Sequence, residues 1–166
     1  MDKHQDYVYK KAMYAYHLYL EGKDFEKARA IILKGDQVAF IKDLTTGKLT
    51  VPGGGVDEGE TIEEAAKREA MEETNMVVNP VMIVGKEFYD VDMQIGDVDF
   101  VSSRVAYACL CEFVEQKKGK NGLEGEYSGN IEVYFDDIEK LAECNISAES
   151  IEKIKEYLEQ NKLNEK

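Results

Sequence analysis

The chain has 166 residues, 43% hydrophobic and 33% charged, which fits one domain with its own core and excludes collagen-like, mucin-like and wholly disordered readings. Its 34 acidic residues outweigh 21 basic ones, a formal net charge of −13, so the surface repels a phosphate backbone and no nucleic-acid polymer is expected as a partner. No apolar run approaches the roughly 20 residues that span a bilayer, and Met1 to Lys11 carries charge throughout without an apolar signal core, so no membrane partner and a cytoplasmic location are expected.

Residues 1–27 read as a tyrosine-rich extension of the domain at 28–166. Tyr7, Tyr9, Tyr14, Tyr16 and Tyr19 crowd into Asp6 to Leu20, a helix with mixed faces that ends near Gly22. Its expected role is packing on the body of the domain or on a second subunit. Ala28 to Leu33 and Val38 to Lys42 are β-rich segments joined by Lys34-Gly35-Asp36-Gln37, a hairpin. A turn at Thr45-Thr46-Gly47 leads to a short strand, Lys48 to Val51, after which Pro52 and Gly53, Gly54 and Gly55 are expected to stop regular structure.

A helix follows over Thr61 to Thr74, with Thr61 as N-cap and Glu64 completing a capping box. Two long β segments, Val77 to Ile95 and Val98 to Glu115, flank a Gly96-Asp97 turn, and their length predicts a bend or bulge in each. Lys117 to Asn130 reads as a polar loop, Ile131 to Phe135 as a last strand, and Asp136 to Glu143 and Ser147 to Gln160 as helices. Cys109, Cys111 and Cys144 have neither disulfide nor zinc spacing and read as reduced, partly buried thiols. Strands interrupted by one central helix and followed by helices make an α+β fold with a mixed sheet, without a regular βαβα alternation.

The chemistry lies between Gly53 and Met76. Gly54, Gly59 and Thr61 have phosphate-loop spacing, but Glu60 stands where that loop needs Lys, and a carboxylate there repels phosphate. A solvated acidic helix is the plain alternative. Stepping about 100° per residue from Ile62, Ala65, Ala66, Glu69 and Glu73 fall on one stripe and Glu72 borders it. Three carboxylates thus continue a face that begins as core. Desolvating like charges side by side is unfavourable unless a cation neutralises them. Clustered carboxylate oxygens suit hard cations, Mg²⁺ or Mn²⁺, and a glycine loop before the helix lets backbone approach a metal or phosphate.

Gly54, five residues, Glu60, seven residues, then Arg68-Glu69-Ala70-x-Glu72-Glu73-x-Asn75-Met76 resembles the Nudix box, GX₅EX₇REUXEEXGU, over 23 residues. Pro52-Gly53-Gly54-Gly55-Val56 resembles the usual run into it. The likeness extends over Ala28 to Gln160 and implies an α/β/α sandwich around a mixed β-sheet. It also implies hydrolysis of a nucleoside diphosphate linked to another moiety, with Mg²⁺ as cofactor and Mn²⁺ as its substitute. On that pattern Glu72 and Glu73 are the main metal ligands, Glu69 holds a second metal or deprotonates the water, and the Gly54 carbonyl is a further ligand. Gly53, Gly54 and Gly55 would approach the substrate, Arg68 would orient the carboxylates, and Glu60 would support the loop. A later loop supplies an additional base in many members; Glu124, Glu126 and Glu132 are candidates, with Glu126 preferred. Asn75 replaces the late glycine of the box and is the usual substitute at a left-handed helix end.

Substrate subclass is not marked: Val91, Asp92, Met93 and Gln94 match neither the Pro of ADP-ribose enzymes nor the Tyr of dinucleoside polyphosphate enzymes. A nucleotide-binding or regulatory module without strong catalysis is the alternative function. A homodimer, paired through the N-terminal segment, is the expected assembly.

Overall fold

The computed structural model describes residues 2–119 and 130–164. Helix α1 (Lys3–Leu20) opens on a capping box between Asp2 and Gln5. Strands β1 (Phe25–Lys34) and β2 (Gln37–Asp43) form the expected hairpin, in register at Leu33↔Val38 and Lys34↔Gln37. The short β3 (Leu49–Thr50) pairs with β2. Helix α2 (Ile62–Thr74) starts where its capping box requires: Glu64 N–H donates to Thr61 Oγ1 at 3.1 Å and Thr61 N–H to Glu64 Oε1 at 3.3 Å.

The glycine run differs from expectation. Gly53–Gly55 does not end regular structure but forms strand β4, antiparallel to β1 through Lys27↔Gly55, Ala28↔Gly54 and Arg29↔Gly53. The bonds Ala30 N–H to Pro52 O (2.7 Å) and Val56 N–H to Glu26 O (2.9 Å) continue that ladder at both ends. The reason is steric. A Cβ at Gly53 would lie 2.7 Å from the Ala28 carbonyl oxygen, so only a chain without side chains lies this close to β1.

Strands β5 (Met76–Ile95) and β6 (Val98–Gln116) form one long hairpin around Gly96. The expected irregularities are register shifts at Val77/Val78, Pro80/Met82 and Ile83/Gly85. Strand β6 also pairs parallel with β1 over nine residues, Phe25↔Arg104 to Leu33↔Glu112. Strand β7 (Ile131–Asp137) pairs along the whole of β2. That pairing corrects the next boundary. Asp136 and Asp137 stay in the strand opposite Val38 and Gln37, and the following element is a 3-10 helix, Ile138–Cys144, capped by Asp137. Helix α3 (Ala148–Asn164) closes the chain.

The described strands form one seven-stranded mixed sheet in the order β3-β2-β1-β6-β5, with β4 beside β1 and β7 beside β2. Period-2 alternation along β1 divides the core. Ile31 and Leu33 join Phe40, Leu110, Leu141 and Ile154 under α3 and the 3-10 helix, while Ala28, Ala30 and Ile32 join Ala65, Ala66, Ala70 and Cys111 under α2. The result is an α/β/α sandwich. Alanine on both sides of the second interface lets α2 lie close to the strands. All three cysteines are free and buried. Among the described residues no helix is long and apolar enough to cross a membrane.

Helix α1 packs on the outer part of the long hairpin. Tyr16 and Tyr19 sit 5.2 and 5.3 Å from the Phe100 ring and Tyr14 sits 5.8 Å from Phe25, ring centre to ring centre. The aromatic crowding of the extension is therefore a third small core, with Met93 and Ile95 in it. Phe100 is buried in this core, whereas Phe88 on the same hairpin is exposed.

Gly85 tests how tightly α3 is seated. A Cβ there would run into the Ser150 hydroxyl, which donates to Val84 O. Gly85→Ala is expected to destabilise the protein by about 1–3 kcal/mol in urea unfolding, and adding Ser150→Ala is expected to recover part of the loss.

Candidate active site

Arg68, in the second turn of α2, uses all five of its N–H donors. Nε and one Nη2 proton grip Glu60 in a fork at 2.8 and 2.9 Å, and the other Nη2 proton reaches the Gly55 carbonyl at 2.9 Å. The Nη1 protons reach Glu69 at 2.9 Å and Glu72 at 3.2 Å. Asp57 lies 3.5 Å from Nε and its own N–H donates to Glu60 at 3.0 Å. One guanidinium therefore ties the loop before α2, the end of β4 and two helix carboxylates together. The Arg68 hydrogen bond holds the Glu60 carboxyl below its ordinary range despite burial. Burial has the reverse effect on Glu69 and raises its carboxyl, against the opposing pull of Arg68.

The box carboxylates are not equally desolvated. Glu69 is 8% exposed, Glu73 is half-buried, and the Glu72 side chain is 55% exposed. The expectation that all three share a desolvated stripe is thus met by Glu69 alone, because cover over the helix face ends before Glu72. Arg68 already compensates two of them, so desolvation by itself does not require a metal. Among the described residues no three His, Cys, Asp or Glu side chains are gathered as a cage for one.

The glycines meet the carboxylates directly. Gly53 N–H donates to Glu73 Oε2 at 3.1 Å. A Cβ at Gly54 would lie 2.8 Å from Glu69 Cδ and closer still to its oxygen, so β4 and α2 approach here only because Gly54 has no side chain. Asn75 caps α2 in the left-handed conformation, φ 58° and ψ 26°, which keeps the geometry of the glycine it replaces. Its side chain donates to Gly119 O at 2.7 Å.

A cleft of about 250 Å³ opens over this cluster, lined on one side by Gly55, Arg68 and Glu69 and on the other by Tyr7, Lys11 and Tyr14 of α1. A larger cavity of about 710 Å³ adjoins it at Tyr14, Val56, Asp57 and Glu58, and also contains His17, Glu26 and Tyr107. The wall from α1 is the part sequence reasoning missed. Nothing in the spacing of Tyr7 and Lys11 pairs them with a segment more than 40 residues away. Of the later-loop candidates, Glu124 and Glu126 lie outside the described residues. Glu132 is exposed on β7 opposite Lys42 and lines neither cavity.

The NUDIX domain family matches residues 24–153. The chain belongs to that family. It is a Nudix-type hydrolase. No curated protein matches the sequence. Among solved structures it is similar to a NUDIX hydrolase from Nitrosomonas europaea, with a TM-score of 0.54 and 18% identity over 81% of this chain and 88% of that one. A NUDIX-family hydrolase from Clostridium perfringens gives a TM-score of 0.51 and 15% identity, covering 83% and 98% of the two chains. A UDP-X diphosphatase gives 0.51 and 18%, covering 87% and 65%. At these identities the likeness is one of fold.

Hard oxygen donors on one helix face, with a backbone carbonyl strand seated beside them, fit a divalent cation in type. Glu69, Glu72, Glu73 and the Gly54 carbonyl are the atoms that would hold it.

The Glu60–Arg68 pair can be weighed by pH. Glu60→Gln is expected to lower stability by about 1–3 kcal/mol at pH 7. Because the folded-state Glu60 carboxyl titrates below its unfolded value of about 4.3, its contribution is present above that value and fades as pH falls through the folded-state one. Urea unfolding of both proteins at pH 7 and near pH 3 should show a gap that shrinks in acid.

Proposed function

We propose that this Nudix-type enzyme hydrolyses a pyrophosphate bond in a small nucleoside diphosphate linked to another moiety, with Mg²⁺ as cofactor and Mn²⁺ as substitute. The observation that carries the reading is the seating of Glu73 and Glu69 against the backbone of Gly53 and Gly54, with Glu72 on the same guanidinium as Glu69, beside a cleft that Glu69 lines. The family supports pyrophosphate chemistry, and the like fold of a UDP-X diphosphatase supports a nucleotide joined to a second group.

A bound divalent cation would lower the charge on the diphosphate and the pKa of a water. The chain's own residues do the rest. Glu72 and Glu73 would hold the cation, with the Gly54 carbonyl as a further ligand. Glu69 orients the attacking water and takes its proton. A new bond then forms from the water oxygen to phosphorus while the bridging P–O bond breaks, and the departing phosphate keeps the electron pair. Arg68 acts through the carboxylates, holding Glu69 and Glu72 in place while Glu60 fixes its own orientation. Gly53, Gly54 and Gly55 let the substrate approach the backbone. Glu126 remains the proposed additional base.

A nucleotide-binding module that does not hydrolyse is the other reading. Its support in the sequence is Asn75 and the N-terminal extension, and the left-handed cap at Asn75 leaves the end of the box helix in the form a glycine would give.

Glu72→Gln should abolish turnover while leaving the fold intact, since Glu72 is exposed and outside the core. With Mg²⁺ or Mn²⁺, a phosphate-release screen would cover nucleoside triphosphates, oxidised nucleotides, ADP-ribose, nucleotide sugars and dinucleoside polyphosphates. The rate is expected to fall more than about a hundredfold, beyond the loss typical of a group that only supports a ligand. Normal activity in the variant would sink the assignment. Nucleotide binding without hydrolysis by the unmodified protein would favour the binding module.

A further inference from the structure

The larger cavity of about 710 Å³ is of a size that encloses small molecules, roughly 300–1,000 Å³. The reaction proposed above makes no use of it. Three walls surround it: α1 with the turn after it, the loop from Asp57 to Glu60, and the paired strands β1 and β6. Tyr14, Val56, Asp57 and Glu58 line both this cavity and the 250 Å³ cleft, so a ligand longer than the cleft extends past them into the cavity.

The two spaces differ in charge. The cleft carries Arg68 and Lys11, and Lys11 has no ion pair among the described residues. The cavity carries carboxylates on each wall, and the cations near it are already matched. Lys23 pairs with Glu21 at 3.1 Å, and Arg68 holds Glu60 at 2.8 Å with Asp57 at 3.5 Å. Asp24, Glu26 and Glu58 have no ion pair among the described residues. A phosphate or a carboxylate placed here meets like charge, so the diphosphate of a substrate belongs in the cleft and something uncharged belongs in the cavity.

In a chain with a net charge of −13, acids alone would say little about a ligand. The cavity also has rings and an apolar floor. Tyr14 and Tyr107 face each other's walls from α1 and β6, and the buried Val56 and Val105 lie among them. Burial and the carboxylates of Glu26 and Asp24 raise the Tyr107 hydroxyl above its ordinary range, and burial with Glu58, Glu26 and Asp57 does the same to Tyr14. Both hydroxyls stay protonated and can donate. Among the described residues no three acids converge as they would on a metal ion, so the cavity is not shaped around a point charge. Separate carboxylate acceptors beside aromatic and apolar surface suit a ring that bears a hydroxyl on most of its carbons. Its O–H groups donate to the carboxylates while its C–H face packs on a tyrosine.

We propose that this cavity is a sugar subsite, which takes an uncharged, hydroxyl-rich ring joined to the nucleoside diphosphate in the cleft. The inference rests on the reaction proposed above and adds the substrate class, a nucleotide sugar. Tyr14 and Leu18 lie outside the residues that match the family, 24–153, so the extension supplies one wall of the subsite. The tyrosine-rich helix then has a task beyond packing.

Binding is read by titration calorimetry on the full chain with Mg²⁺. The probes are analogues of UDP-glucose and UDP-glucuronate in which a methylene group replaces the bridging oxygen of the diphosphate, so that bridge is not cleaved. They differ only at C6 of the sugar, a hydroxymethyl group in one and a carboxylate in the other. The glucose analogue is expected to bind at least about tenfold more tightly. Methylene-bridged UDP, which lacks the sugar, should bind at least about tenfold more weakly than the glucose analogue. Asp24→Asn combined with Glu26→Gln should narrow the gap between the two sugars to about threefold or less. Both residues are exposed, and an unchanged melting temperature would show that the fold is kept. Equal affinity for the two sugars overturns the proposal, as does a gap untouched by the double substitution, a sugar-free analogue that binds as tightly, or no binding of the glucose analogue. Discrimination between the analogues without any hydrolysis of UDP-glucose itself would instead overturn the reaction and leave the subsite standing.

Discussion

The five hydrogen bonds of Arg68 are the constraint on which the site depends. The box places its acids on a helix and its glycines on a strand, and nothing covalent keeps those two pieces in register. The guanidinium does so, because its planar fork can serve a loop carboxylate, a strand carbonyl and two helix carboxylates at once. Partly buried ion pairs add little net stability, since desolvation offsets much of the attraction. The benefit of this network is position. Without it, Glu69 would be a buried charge without its hydrogen-bonded cation, and the loop from Asp57 to Glu60 would lose its anchor on α2.

Packing brings those partners within reach. Strand β1 is the spine of the sheet, with β6 parallel on one side and the glycine strand β4 on the other. Its alanines let α2 settle onto the sheet, and Gly54 lets β4 touch the Glu69 carboxylate. Small residues on three elements thus converge on one close approach. The opposite face, under α3 and the 3-10 helix, is filled with larger side chains, Ile31, Phe40, Leu110 and Leu141. Helix α1 is held by neither face. Its tyrosines grip Phe25 and Phe100 at the end of the sheet, which turns Tyr7 and Lys11 toward the cleft.

Much of this was legible in the sequence, where local rules act over a few residues. The capping box of α2 placed its first turn, and the Gly96 turn placed the long hairpin. The glycine run was misread, because glycine usually breaks strands and here serves as one. The exposure of Glu72 was misread too, since a helical stripe shows direction around an axis and not where the cover ends.

The sequence by itself determined the family, the box helix with its caps and the identity of the acids and glycines that meet there. Each of these is written in residues close together in the chain, where spacing and side-chain chemistry act directly. Only the tertiary structure decided that Arg68 compensates Glu69, that β4 lies along β1, and that Lys11 of α1 lines the cleft beside Arg68. Those contacts join residues from separate segments, and their geometry follows from how the sheet twists and packs, which no local pattern encodes.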